Sequence, residues 1–138
     1  MRVLFFGDRN WKAIEPVRIV MSVFPKDTVI VEGEAPGADS VAAYVARELG
    51  LELDPFPAKW DLYGKKAGPL RNMRMLTAGK PDMAVCFHSN IGESRGTADM
   101  LRRLGKAGIL TTFYYTEQLN GIMLTNHFRL EREARKNA

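Results

Sequence analysis

Apolar positions along this chain fall into two alternating rhythms. Residues 3–6, Val-Leu-Phe-Phe, form an unbroken apolar run stopped by Gly7, the pattern of a strand buried on both faces. From 11 to 24 the apolar positions are Trp11, Ile14, Val17, Val20, Met21 and Phe24. That spacing is helical, with Pro16 in the first turn or at a kink. Residues 28–31 are mostly β-branched and stop near Gly33, predicting a second strand. Residues 38–49 are alanine-rich and end at Gly50, a helix stop. Residues 51–56 alternate between prolines and predict a third strand. Residues 69–78 predict a helix opened by Pro69 and closed by Gly79. Residues 83–87 predict a buried strand, 97–107 a helix ended by Gly108, and 109–115 a last strand.

The order β-α-β-α-β-α-β-α-β predicts an α/β fold: an open parallel sheet of about five strands in three layers, with helices on both faces. The expected domain spans residues 1–115. Residues 116–138 fall outside the alternation. Their charged end, from Asn126 onward, is helix-compatible, and the segment is expected to be a peripheral helix or a flexible arm.

Composition narrows the classes. The 138 residues fit one domain, and 46% hydrophobic with 26% charged residues is a globular balance. No apolar run reaches 18 residues, so no membrane span is expected. The apolar stretch after Met1 is too short for a signal peptide. Cys86 is the single cysteine, which excludes an internal disulfide and a cysteine-clustered metal site. The expected setting is cytoplasmic, with neither metal nor cofactor. The net charge of +4 is mild but uneven. Between Pro57 and Lys80, six cations (Lys59, Lys65, Lys66, Arg71, Arg74, Lys80) face one carboxylate, Asp61. An anionic ligand is expected nearby.

In an open parallel sheet, ligands sit at the carboxyl ends of the strands. The segments following the strands carry glycine, charge or hydroxyl: Gly7-Asp8-Arg9-Asn10-Trp11, then Glu32 through Asp39, then Pro57-Ala58-Lys59-Trp60, then His88 through Thr97. The loops 33–39 and 92–97 run into helix N-termini, whose unpaired N–H groups suit phosphate. Neither is a Walker A loop, and no GxGxxG is present. Taken singly, each reads equally as an ordinary turn, with Asp39 and Thr97 favouring a helix start.

These loops resemble those of the SLOG superfamily, in its YspA-like branch, which also includes LOG-type phosphoribohydrolases and the DNA-processing protein DprA. The matching residues are Gly7-x-Arg9-x-Trp11, Gly33-x-Ala35-x-Gly37-Ala38-Asp39, Pro57-Ala58-x-Trp60-x-x-x-Gly64-x-x-Ala67-Gly68-Pro69-x-Arg71-Asn72-x-x-Met75 and Ser94-Arg95-Gly96-Thr97-x-Asp99-Met100. They cover roughly residues 1–115. The resemblance implies a Rossmann-like domain that binds a nucleotide or a nucleotide-derived ligand, and by analogy a homodimer. LOG-type enzymes use an Arg and a Glu in catalysis. Arg71 keeps the Arg, whereas Met100 stands where the Glu would be and Asp99 is one position early, roughly 100° around a helix. Glu34 replaces the glycine usual in the branch.

On this reading Arg9, Gly33, Gly37, Arg71, Ser94, Arg95, Gly96 and Thr97 hold phosphate, with Gly7 and Asn72 beside them. Asp39 and Asp99 contact sugar, and Trp60 covers the base. Each has a plain structural alternative: a solvated arginine, a helix-start aspartate, a packed tryptophan. Trp11 and Cys86 are expected in the core. Three functions follow. The first is sensing or sequestering a phosphorylated nucleotide. The second is N-glycosidic cleavage, with Arg71, Glu34 and Asp99 as catalytic candidates and Glu93 as a spare carboxylate. The third is single-stranded nucleic-acid binding by the basic stretch, which has few aromatics for stacking.

Overall fold

The computed structural model describes residues 1–89, 94–119 and 122–130, with side chains as far as residue 115. Strands β1 (Arg2–Gly7), β2 (Val29–Glu32), β3 (Glu52–Pro55), β4 (Met83–Phe87) and β5 (Thr111–Leu119) alternate with helices α1 (Ile14–Ser22), α2 (Ala38–Leu49), α3 (Trp60–Tyr63), α4 (Ala67–Thr77) and α5 (Arg95–Ala107). A 3-10 turn, Gly64–Lys66, joins α3 to α4, and β6 (Ile122–Leu130) follows β5. The sheet order is β3-β2-β1-β4-β5-β6, parallel from β3 to β5.

Alternation along the central strands builds two cores. Val3 and Phe5 of β1 pack with Val85 and Phe87 of β4 against Val17 and Met21 of α1 and Ala42, Val45 and Ala46 of α2. Leu4, Phe6, Ala84 and Cys86 point the other way, against Met75 of α4 and Met100 and Leu104 of α5. The period of two in the strands thus places α1 and α2 on one face and α4 and α5 on the other. This is the expected three-layer Rossmann-like architecture. Pro16 occupies the first turn of α1, where its missing N–H breaks no helical bond. Trp11 lies before that helix, buried against Phe87 at 5.4 Å between ring centroids.

The segment after Thr116 departs from expectation. Residues 117–119 and 122–130 are strand rather than helix or arm, and residues 131–138 lie outside the described residues. The last parallel strand continues to Leu119, and β6 returns antiparallel along it, pairing Leu119 with Ile122 and Thr111 with Leu130. The sequence between the two strands is Asn120-Gly121, the dipeptide most typical of two-residue hairpin connections. Residues 122–130 also place Ile122, Leu124, Phe128 and Leu130 at one parity, a strand rhythm that outweighs the helix-compatible charges. No helix among the described residues is long and apolar enough to cross a membrane.

Candidate functional site

The sheet order reverses direction between β1 and β4. The chain leaves β1 toward α1 on one face and leaves β4 toward α5 on the other, so a crevice opens between the two loops. A cavity of about 760 Å³ occupies it. Its walls are the loops after β1, β2 and β3, His88 after β4, Arg71, Asn72 and Met75 of α4, and the first turn of α5. Of the ligand-contact candidates, all line the cavity except Gly37 and Asp99.

Two glycines let these loops close on one another. Gly7 has φ +152°, and a Cβ there would lie 1.9 Å from the Phe87 carbonyl oxygen, which accepts the Asp8 N–H at 2.8 Å. Gly37 has φ +83°, and a Cβ there would lie 2.2 Å from the Asp8 carbonyl oxygen, which accepts the Ala38 N–H at 2.9 Å. Backbone meets backbone at both places, leaving no room for a side chain. Gly37 therefore shapes the site from behind rather than touching a ligand.

The loop after β2 is held by two carboxylates. Asp39 folds back from the first turn of α2, and its Oδ2 accepts the Gly33 N–H at 2.8 Å and the Ala35 N–H at 3.5 Å. Glu32, at the end of β2, accepts the Glu34 N–H at 2.5 Å. Three successive amides, 33 to 35, are thus engaged from within the protein. The phosphate cradle expected at Gly33 is not built from them, and an anion here would meet two carboxylates instead. Glu34 is exposed at φ +54°, on the cavity wall.

Glu32, which is not among the expected site residues, is 1% exposed. Burial pushes its carboxyl up to about 7, against the Glu34 amide that favours the ionised form. Asp39 is likewise pushed up by burial, to about 6, with the nearby Arg71 charge and the Gly33 and Ala35 amides opposing. Both carboxyls bind protons more readily folded than unfolded. Their contribution to stability therefore falls as pH rises from about 4.5 to about 7. Urea unfolding is expected to give a larger free energy at pH 5 than at pH 8 from this pair. At most, each pKa unit is worth roughly 1.4 kcal/mol. Glu32→Gln should flatten that slope and raise stability at pH 8; an unchanged slope would show that Glu32 is not its source.

Arg71 faces the same loop from α4. Its Nη1 donates to the Gly33 carbonyl at 2.6 Å and its Nε to the Asn72 Oδ1 at 3.0 Å. A Cβ at Gly33 would lie 2.6 Å from Arg71 Nη1 and 2.9 Å from Asp39 Oδ2, so a larger residue would displace these side chains. Asn72 is buried and spans to α5, its Nδ2 donating to the Gly96 carbonyl at 3.2 Å and to Asp99 Oδ2 at 3.0 Å. Asn72 thereby fixes the start of α5 relative to Arg71.

Asp99 does not line the cavity, contrary to expectation. It accepts from Arg102 at 2.6 Å and Arg103 at 2.9 Å as well as from Asn72. Burial pushes its carboxyl up, but the hydrogen bonds from Arg103 and Asn72 and the two arginine charges prevail and hold it below its ordinary value. The 100° rotation from position 100 turns it from the cavity toward Arg102 and Arg103 of its own helix. Met100 is buried in its place, on the cavity wall. Neither Asp99 nor Met100 offers a proton there. Glu93 lies outside the described residues.

The opposite wall is cationic. Ser94 caps α5, its Oγ accepting from the Thr97 N–H at 3.3 Å and lying 3.0 Å from the Thr97 hydroxyl. The first turn holds Arg95 and Gly96 with no acidic residue, and a Cβ at Gly96 would meet nothing within 4 Å. Backbone N–H groups at such a turn have no intrahelical acceptor. Arg9 and Arg95 are exposed beside it, and no carboxylate among the described residues lies within ion-pair distance of either. Trp60 stands at the rim, 58% exposed, with Gly68 beside its ring. His88, buried at the base, is held below its ordinary pKa by burial, with Asp8 opposing. No cluster of metal-ligating side chains occurs among the described residues.

The chain is 38% identical over 117 residues to the Gene 61 protein of Mycobacterium phage D29, an alignment covering 78% of this chain and 91% of that protein. No protein-family model matches the chain.

Proposed function

The chain belongs to the family of the phage D29 Gene 61 protein, a name that states no activity, and we propose from the cavity that it binds a phosphorylated nucleotide or nucleotide derivative. The observation that carries this reading is the division of charge across one cavity. Arg9, Arg95 and the start of α5 form a wall for phosphate. Asp39 and Glu34 form a wall of acceptors for sugar hydroxyls, and Trp60 offers an open aromatic face to a base. Arg71 stands between the walls. The resemblance to SLOG domains points the same way, with the phosphate assigned to α5 rather than to the loop after β2. Sensing or sequestration suits the site better than turnover, because Met100 fills the position of a catalytic carboxylate.

One observation favours a second reading, N-glycosidic cleavage. Asp39 lines the cavity with its carboxyl pushed up to about 6, a value suited to proton transfer near neutrality. Water would add to the anomeric carbon and the base would leave with a proton. Thermal unfolding in the presence of each common nucleotide tests the first reading. A bound nucleotide at a hundred times its Kd stabilises the fold by about 2.7 kcal/mol. A raised Tm with the nucleotide recovered intact supports binding alone. Free base, lost in Glu34→Gln or Asp39→Asn, supports cleavage. No shift with any nucleotide contradicts both.

A further inference from the structure

The geometry points to a second anionic subsite beside the cavity, and hence to a ligand carrying linked phosphates, as in a nucleoside diphosphate or a diphosphate-bridged dinucleotide. This inference rests on the nucleotide reading of the cavity.

A smaller pocket of about 100 Å³ lies on the α3–α4 side, lined by Pro57, Lys59, Tyr63, Leu70, Arg71 and Arg74 among others. Pro57 and Arg71 line both spaces, so the two adjoin across a single side chain. Three of the lining residues are cationic and none is acidic. Among the described residues, no carboxylate lies within ion-pair distance of Lys59, Arg71 or Arg74. Among the described residues the ion-paired cations are Arg2 with Asp54, Arg18 with Glu15 and Glu48, and Arg102 and Arg103 with Asp99, all outside this pocket.

Arg74 is held in place without an anion, its guanidinium 5.6 Å from the centroid of the Phe56 ring. Arg71 spends its Nε–H and one Nη1–H on Asn72 and Gly33, which leaves three of its five donors. An anion between Arg71 and Arg74 would receive donors from two fixed guanidinium groups, with Lys59 adding a third charge. Because Arg71 borders both spaces, one ligand can reach from the cavity into this pocket past a single side chain. That adjacency fits phosphates joined to each other better than two independent ligands.

Isothermal titration of the full chain with the 5′-mono- and 5′-diphosphates of the four common ribonucleosides tests this, beside a Lys59→Ala/Arg74→Ala variant. Both substituted side chains are exposed, and circular dichroism checks that the fold is kept. For the preferred base, the diphosphate should bind wild type about tenfold or more tighter than the monophosphate. The double variant should lose that advantage and keep its monophosphate affinity. Equal affinity for the two in wild type, or an advantage that survives in the variant, overturns the subsite while leaving the nucleotide reading intact. A chain that binds neither series overturns both. Tight binding of a dT oligonucleotide with no preference for diphosphate over monophosphate also overturns it.

Discussion

Arg71→Ala is expected to abolish nucleotide binding, lowering affinity by about a hundredfold or more. One charge-assisted hydrogen bond is worth roughly 1.5–3 kcal/mol, and Arg71 has three N–H groups left for ligand, so two such bonds reach that loss. The side chain has a second task. Its bonds to the Gly33 carbonyl and to Asn72 tie the loop after β2 to α4, and Asn72 carries the tie to the start of α5. Alanine would remove the central cation and loosen both walls together. It would also leave Asp39 without the charge that opposes its burial. Arg71→Lys separates these effects, since it keeps a cation but cannot bond Asn72 and Gly33 through one planar group. Lysine should recover only part of the affinity. Unchanged affinity in Arg71→Ala, with the fold intact, would remove Arg71 from the site.

Gly37→Ala is expected to be among the most damaging single-methyl changes in the fold. At φ +83° and ψ −124° the residue occupies a region that side chains rarely adopt, a strain of about 1–3 kcal/mol by itself. The added Cβ would also lie 2.2 Å from the Asp8 carbonyl oxygen and 2.3 Å from the Arg9 carbonyl carbon. Those are backbone atoms, so relief requires parting the first two loops and breaking the bond from Ala38 N–H to Asp8. The combined loss should exceed about 4 kcal/mol, a large share of the 5–15 kcal/mol that stabilises a typical domain. Gly96→Ala is the control, because its Cβ would enter open space without left-handed strain, and its stability should stay within about 1 kcal/mol of wild type. Thermal and urea unfolding read both. A Gly37→Ala chain as stable as wild type would mean that the two loops do not meet as described.

The parallel core of the fold was legible because its signals are local. Apolar runs at 3–6 and 83–87 are strands buried on both faces, and glycines at 50 and 108 end helices in the left-handed conformation. The site loops were legible for the same reason, since strand ends place them at one edge. Trp11 in the core and Trp60 at the rim also followed from the surrounding pattern. The roles of the carboxylates were not legible, because a carboxylate's role depends on what it faces. Asp39 reads as a helix-start residue or a ligand contact, and only the fold shows it gripping the amides of residues 33 and 35. Glu32 stands at the edge of a β-branched run, where a strand end and a solvated loop acid look alike. Asp99 was misplaced because one residue along a helix exchanges the cavity for Arg102 and Arg103. The strand at Ile122–Leu130 did carry a signal in Asn120-Gly121, which the charges downstream obscured.

Nucleotide binding in the crevice between β1 and β4 is open to a direct test. Mass spectrometry tests it most directly, on the purified chain incubated with a mixed panel of monophosphates, diphosphates, cyclic nucleotides, NAD and ADP-ribose. Both the retained fraction and the filtrate are read, with Arg71→Ala alongside. One nucleotide class should be retained intact by wild type and be absent from the Arg71→Ala fraction. Retention of none, or equal retention by the two proteins, would contradict it.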